Sequence, residues 1–165
     1  MVSLRSFRLL DAGSPAAAGW LLAAALLATA HAAVEVRAAA IDDVVDTVSI
    51  EELAELMEGE GYAVEVNNET FLQWKVDGYR CQVFVADDSQ AVQFHVSFSD
   101  GNATLKKVNH WNATKRFSRT YLDEDGDPHL ELDLDLAGGV TQERIVDYLR
   151  TCKVSLSTWC DEVVN

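Results

Sequence analysis

Basic side chains are scarce in this sequence: 13 Lys and Arg stand against 27 Asp and Glu, a formal charge of −14 over 165 residues. A surface of that sign repels phosphate backbones and anionic membrane faces, which sets nucleic acid aside as a partner. Cysteine is scarce too, and none precedes Cys81, so no thiol is available for lipid attachment at a lipoprotein-type cleavage site. There is no Cys-x-x-Cys, no glycine-rich phosphate loop, and no serine or cysteine in a recognisable nucleophile motif. The four histidines, His31, His95, His110 and His129, lie apart in the chain. These absences point to a non-enzymatic protein without metal or cofactor.

What is present begins with a leader. Arg5 and Arg8 precede an almost wholly apolar run from Ala16 to Ala30, and Ala30-His31-Ala32 offers the small-x-small pattern that signal peptidase accepts. Ala28-Thr29-Ala30 is an equally legal site. Residues 1–32 therefore read as a secretory signal peptide, which places the mature chain in the periplasm or outside the cell. The competing reading is an uncleaved membrane anchor over residues 15–33, a run marginally short of the ~20 apolar residues a span needs and weakened by its alanine content. Cleavage removes Arg5, Arg8 and Asp11, one net positive charge, and takes −14 to −15. Residues 33–48, rich in Ala and Val with Asp42, Asp43 and Asp46 interspersed, show no period and read as a linker.

In an oxidising compartment Cys81, Cys152 and Cys160 most simply form one disulfide and leave one thiol. Within a continuous helix Cys152 and Cys160 stand ~12 Å apart, beyond the roughly 7 Å between Cα atoms that a bridge tolerates. Cys81 is then the common partner of one of them, in a bridge contributing roughly 4 kcal/mol. Three buried, unbridged thiols are the other reading.

Ser49-Ile50-Glu51-Glu52 is a capping box, and behind it Ile50, Leu53, Ala54, Leu56 and Met57 share a helical face that Gly59 and Gly61 terminate. Tyr62 to Val66 and Phe71 to Val76 are β-branched and aromatic, and Asp77-Gly78 signals a type I′ hairpin into Tyr79–Val85. Val92, Phe94, Val96 and Phe98 alternate again, completing a three-stranded antiparallel meander with one apolar face and His95 on the other. Leu105, Val108, Trp111 and Asn112 then recur at helical spacing over about residues 104–115, capped by Thr104 or Asn102. Phe117–Asp123 and His129–Leu136 read as strands around the turn Asp125-Gly126-Asp127-Pro128, with Leu130, Leu132, Leu134 and Leu136 on one face and Glu131, Asp133 and Asp135 on the other. Thr141 caps a closing helix whose stripe Ile145, Leu149, Cys152, Leu156, Trp159 fits either the sheet or a twin in a dimer. The order helix, three strands, helix, two strands, helix is that of an α+β fold with an antiparallel sheet of about five strands.

The segment Val108–Leu136 concentrates the distinctive side chains. Asp123-x-Asp125-Gly126-Asp127 has the spacing of a calcium loop. Pro128 stands where an EF-hand needs its sixth-position Gly, however, and Leu134 where it needs the bidentate Glu, so an Asp-Gly turn explains it without metal. Arg116 and Arg119 face the carboxylates of the next strand, either as surface ion pairs or, with Trp111, Asn112 and Tyr121, as a patch that grips a partner, Trp and Arg being the side chains most enriched in binding hot spots. The sequons at Asn68, Asn102 and Asn112 read as chance.

Leu105 with Asn109-x-Trp111-Asn112, Arg116-Phe117-Ser118-Arg119-x-Tyr121-Leu122-Asp123, Gly126-Asp127, Leu130-Glu131-x-Asp133 and Gly138-Gly139-Val140-Thr141 resemble the bacterial YbjN-type domain, a family labelled a "putative sensory transduction regulator". The resemblance covers residues 49–162. It implies an α+β domain similar to the type III secretion chaperones, a tendency to dimerise, and a role in binding or regulation without established catalytic residues. The expectation is thus an exported binding or chaperone-like module acting on a protein or peptide. A small metal-dependent or hydrolytic enzyme using the Asp123 to Asp135 carboxylates with His110 or His129 is the alternative.

Overall fold

The computed structural model describes residues 44–67, 71–99 and 101–165. The leader at 1–32, most of the expected linker and the Asn68 sequon lie outside the described residues. In chain order the elements are β1 (Val44–Val45), α1 (Ile50–Gly59), β2 (Val64–Val66), β3 (Phe71–Val76), β4 (Tyr79–Val85), β5 (Ala91–Ser97), α2 (Leu105–Thr114), β6 (Arg119–Leu122), β7 (Pro128–Asp135), β8 (Val140–Thr141) and α3 (Gln142–Trp159), closed by a π-helical turn at Cys160–Val164.

The helices start where their caps dictate. The Ser49 hydroxyl accepts from the Glu52 amide while the Glu52 carboxylate accepts from the Ser49 amide, and the Thr104 and Thr141 hydroxyls cap α2 and α3 by accepting from the Lys107 and Arg144 amides. Asp77 and Gly78 both have positive φ, 49° and 92°, so the β3–β4 hairpin turns as its Asp-Gly pair requires.

The main sheet is antiparallel in the order β2-β3-β4-β5-β7-β6. It has six strands where about five were expected, because the short run Val64–Val66 pairs with β3 as an additional edge strand. Period-two alternation gives the sheet two unlike faces. Leu72, Trp74, Cys81, Val83, Val92, Phe94, Leu130 and Leu132 point to the buried side. There they meet Leu53 and Met57 of α1 and the α3 stripe Ile145, Leu149, Cys152, Leu156, Trp159, all within one core. That stripe is consumed by the sheet and is not left over for a twin. At the centre the Tyr148 hydroxyl accepts from the Phe94 amide and donates to the Leu132 carbonyl, each at 2.8 Å.

Two expectations change. Val44–Val45, in the stretch read as linker, pairs antiparallel with Val140–Thr141. A ladder so short leaves no period to detect, and it depends on Gly139, where an added Cβ would lie 2.7 Å from Val44 Cγ1. Cys81, Cys152 and Cys160 are all free and buried, not one bridged pair and one thiol. They act as small apolar side chains in the core, and burial, followed by the neighbouring Cys160 and Asp77, pushes the Cys81 thiol up to about 12.

Candidate functional site

Helix α2 sets the geometry at one end of the sheet. Val108 and Trp111 are its buried anchors, and Trp111 is only 2% exposed. The Trp111 indole donates to Ser118 Oγ at 3.1 Å and Lys115 sits over its ring at 5.3 Å. Trp111 therefore belongs to the core and not to a partner-gripping patch. Asn112, also expected in that patch, is exposed, but its side-chain amide is engaged by the β6 backbone: it donates to the Thr120 carbonyl at 2.9 Å and accepts from the Thr120 amide at 3.0 Å. It thereby occupies the outward backbone groups of Thr120 on edge strand β6, a side-chain clamp that hinders strand addition at that position.

The turn between α2 and β6 throws one side chain outward. Phe117 has φ +65° and is 74% exposed, a left-handed conformation that is strained for a bulky residue. The strand expected to begin at Phe117 begins at Arg119, because the Lys115 amide closes on the Trp111 carbonyl and Ser118 is held by the Trp111 indole. Arg116 beside it is exposed and has no ion pair among the described residues. Sequence reasoning missed Phe117 as a surface group, although parity carried the signal: Thr120 and Leu122 point inward, which sends 117, 119 and 121 the other way.

From this corner a polar ladder runs over the open sheet face. Arg119 and Glu131 are cross-strand neighbours and form an ion pair. Glu131 is 6% exposed and also accepts from the Tyr121 hydroxyl at 3.0 Å, so its buried carboxylate is matched on both oxygens. This hydrogen bond and charge hold Arg119 above its ordinary pKa. Burial and the bond to Glu131 likewise raise Tyr121. Tyr121 stacks on His129 with ring centroids 4.7 Å apart. His129 Nε2 lies 3.2 Å from Asp123 Oδ2, and His129 Nδ1 lies 3.0 Å from His95 Nε2. With both rings neutral, His129 donates to Asp123 and accepts from His95. The bond from His129, then the Asp127 amide, draws Asp123 below its usual value, and burial followed by the His129 neighbour lowers His95.

The structure thus joins His129 to His95, not to His110, which stays exposed on α2. Both His129 nitrogens are engaged, leaving none to activate Ser97, its register neighbour on β5. The carboxylates from Asp123 to Asp135 are spread over separate duties: Asp123 closes its own turn by accepting from the Asp125 and Asp127 amides, Asp133 accepts from Gln93 at 2.8 Å, and Asp135 accepts from the Ala137 amide. Among the described residues no group of three or more His, Cys, Asp or Glu is set to hold a metal ion. The arrangement is a pre-ordered polar surface with an aromatic and a free guanidinium at its rim, chemistry suited to contact.

Comparison with known proteins agrees with the fold. The model of the YbjN family, described as "Putative bacterial sensory transduction regulator", matches residues 49–164. The chain is also similar to a solved structure described as "Crystal structure of YbjN, a putative transcription regulator from E. coli", at 18% identity and a TM-score of 0.56, over 70% of this chain and 90% of that one. At that identity the likeness shows the fold alone. The search of curated proteins found no match.

Proposed function

Since the chain belongs to the YbjN family, we propose that it works as an exported, chaperone-like protein-binding module whose partner docks on the open sheet face at the α2–β6 corner. A regulatory, non-enzymatic role is what family membership supports; export and the docking corner are our extension of it. The observation that carries the corner is Phe117, held in solvent on a strained backbone between the unpaired Arg116 and the Arg119–Glu131 pair. An aromatic and a guanidinium presented together supply contact area at low entropic cost, as binding hot spots do. Export rests on the leader composition of residues 1–32.

The test is affinity capture from periplasmic extract with the wild type, Phe117→Ala and Arg116→Gln, none of which touches the core. Partners retained by the wild type and lost by both variants support the corner; equal recovery by all three overturns it. Cell fractionation reports on export, with a processed chain in the periplasm or medium as the expected result. Sedimentation equilibrium of the same variants shows whether the occupant of the corner is a second copy.

A further inference from the structure

The opposite end of the sheet is built differently. Among the described residues edge strand β2 carries no counterpart of the Asn112 clamp. The Lys75 amide bonds the Ala63 carbonyl and the Asn67 amide bonds the Phe71 carbonyl, so by antiparallel alternation residues 63, 65 and 67 bond inward and the backbone groups of Val64 and Val66 point away from the sheet. They have no partner among the described residues. Val66 is 44% exposed, and the strand has neither proline, lysine nor bulge; its shielding is limited to its three-residue length and Glu65.

Beside this edge lies a charge arrangement that the fold itself does not explain. Lys75 and Arg80 are directly opposed across the β3–β4 ladder, a like-charge pairing that destabilises a sheet. Neither forms an ion pair among the described residues, in a chain whose formal charge is −14. Both project to the open face, where with Ala63, Gly78 and Glu65 they line an open groove of roughly 400 Å³. The groove exists because Ala63 and Gly78 are small. In the row Ala63, Lys75, Arg80, the position nearest the edge is an alanine, so within that row no larger side chain stands between an added strand and the two cations. Glu65 lies one row along, opposite Gln73, and repels a carboxylate placed there.

We propose that β2 and the Lys75–Arg80 pair form a docking site for an extended acidic segment of another protein, which adds as a strand to the β2 edge and places its carboxylates over Ala63 against Lys75 and Arg80, with an uncharged or basic residue beside Glu65. Main-chain hydrogen bonds to Val64 and Val66 supply register, and the two cations supply selectivity. The site lies at the opposite edge from the α2–β6 corner and uses none of its residues, so either can fail alone.

The experiment uses a fluorescein-labelled valine–threonine peptide with glutamates at one end and a lysine at the other, and a counterpart with glutamine replacing the glutamates. Fluorescence anisotropy with the full chain is expected to show binding of the glutamate peptide. The double variant Lys75→Gln, Arg80→Gln should weaken it roughly tenfold, as should strong salt. Val64→Pro, which removes an outward amide without breaking the ladder to β3, should abolish binding, with circular dichroism confirming that the fold is kept. Should Val64→Pro unfold the chain, the surface double variant alone decides. Equal binding of the two peptides, no binding of either, or a homodimer that Val64→Pro dissolves would each overturn the proposal.

Discussion

Replacing Trp111 with alanine distinguishes a core residue from a contact residue more sharply than any other single change. The indole is 2% exposed and packed in the main core, so truncation forfeits a buried aromatic surface and leaves a cavity. Such changes cost about 3–5 kcal/mol. The hydrogen bond to Ser118 Oγ adds roughly 1 kcal/mol, and the Lys115 contact over the ring a further ~0.5 kcal/mol at a half-exposed site. The total of roughly 5 kcal/mol is a large share of the ~5–15 kcal/mol that holds a typical domain together. In a domain of this size it lowers the melting temperature by roughly 20 °C. Urea unfolding followed by fluorescence and circular dichroism is the assay. Trp111→Phe, which keeps a ring and loses the indole N–H, should cost about 1–2 kcal/mol, placing it between the wild type and alanine. A Trp111→Ala protein within about 1 kcal/mol of wild type would refute the packing argument, since surface substitutions behave that way.

Other consequences follow from the same contacts. Asn112→Ala removes both side-chain bonds to the Thr120 backbone and should cost about 1–3 kcal/mol, with faster hydrogen exchange at the Thr120 amide than elsewhere in the sheet; unchanged exchange there would count against the clamp. Burial lowers the pKa of His95, so the unfolded chain binds more protons as pH falls through the histidine range, and stability declines with acidification. Asp123, lowered by His129, works in the same direction at lower pH, because its contribution exists only above its unfolded value. His95→Gln should flatten the loss of stability between about pH 7 and 5, measured by unfolding midpoints at each pH, and an unaltered slope would dismiss the histidine pair as its source. Cys81, Cys152 and Cys160 are buried and free, so thiol reagents should react slowly with the native chain and titrate all three after unfolding. A single reactive thiol in the unfolded, unreduced protein would restore the disulfide.

Local chemistry was legible in the sequence because it is written within a few residues. The Ser49 capping box, the Thr104 and Thr141 caps, the Asp77-Gly78 turn and the α3 stripe depend on spacing alone, and all stand in the structure. The same period-two pattern put Leu130, Leu132 and Leu134 inside and Glu131, Asp133 and Asp135 opposite. The order of periodic segments likewise determined the α+β class, and the motifs between Leu105 and Thr141 carried the family resemblance.

Tertiary structure decided what depends on which strands become neighbours. His95 stood out of phase with an apolar face, but only the crossover that seats β5 against β7 brings its Nε2 to 3.0 Å from His129 Nδ1. Trp111 and Asn112 looked like contact residues because hydrophobic and polar character alone does not say whether a helix face meets solvent or the sheet; the β6 edge needed a clamp, and α2 supplied it. Phe117 was hidden in an apparent strand until the Trp111–Ser118 bond turned the chain. The two edges differ for the same reason: a side chain that arrives from a helix clamps Thr120 on β6, while among the described residues none reaches the outward backbone groups of β2, on which the proposed docking edge rests.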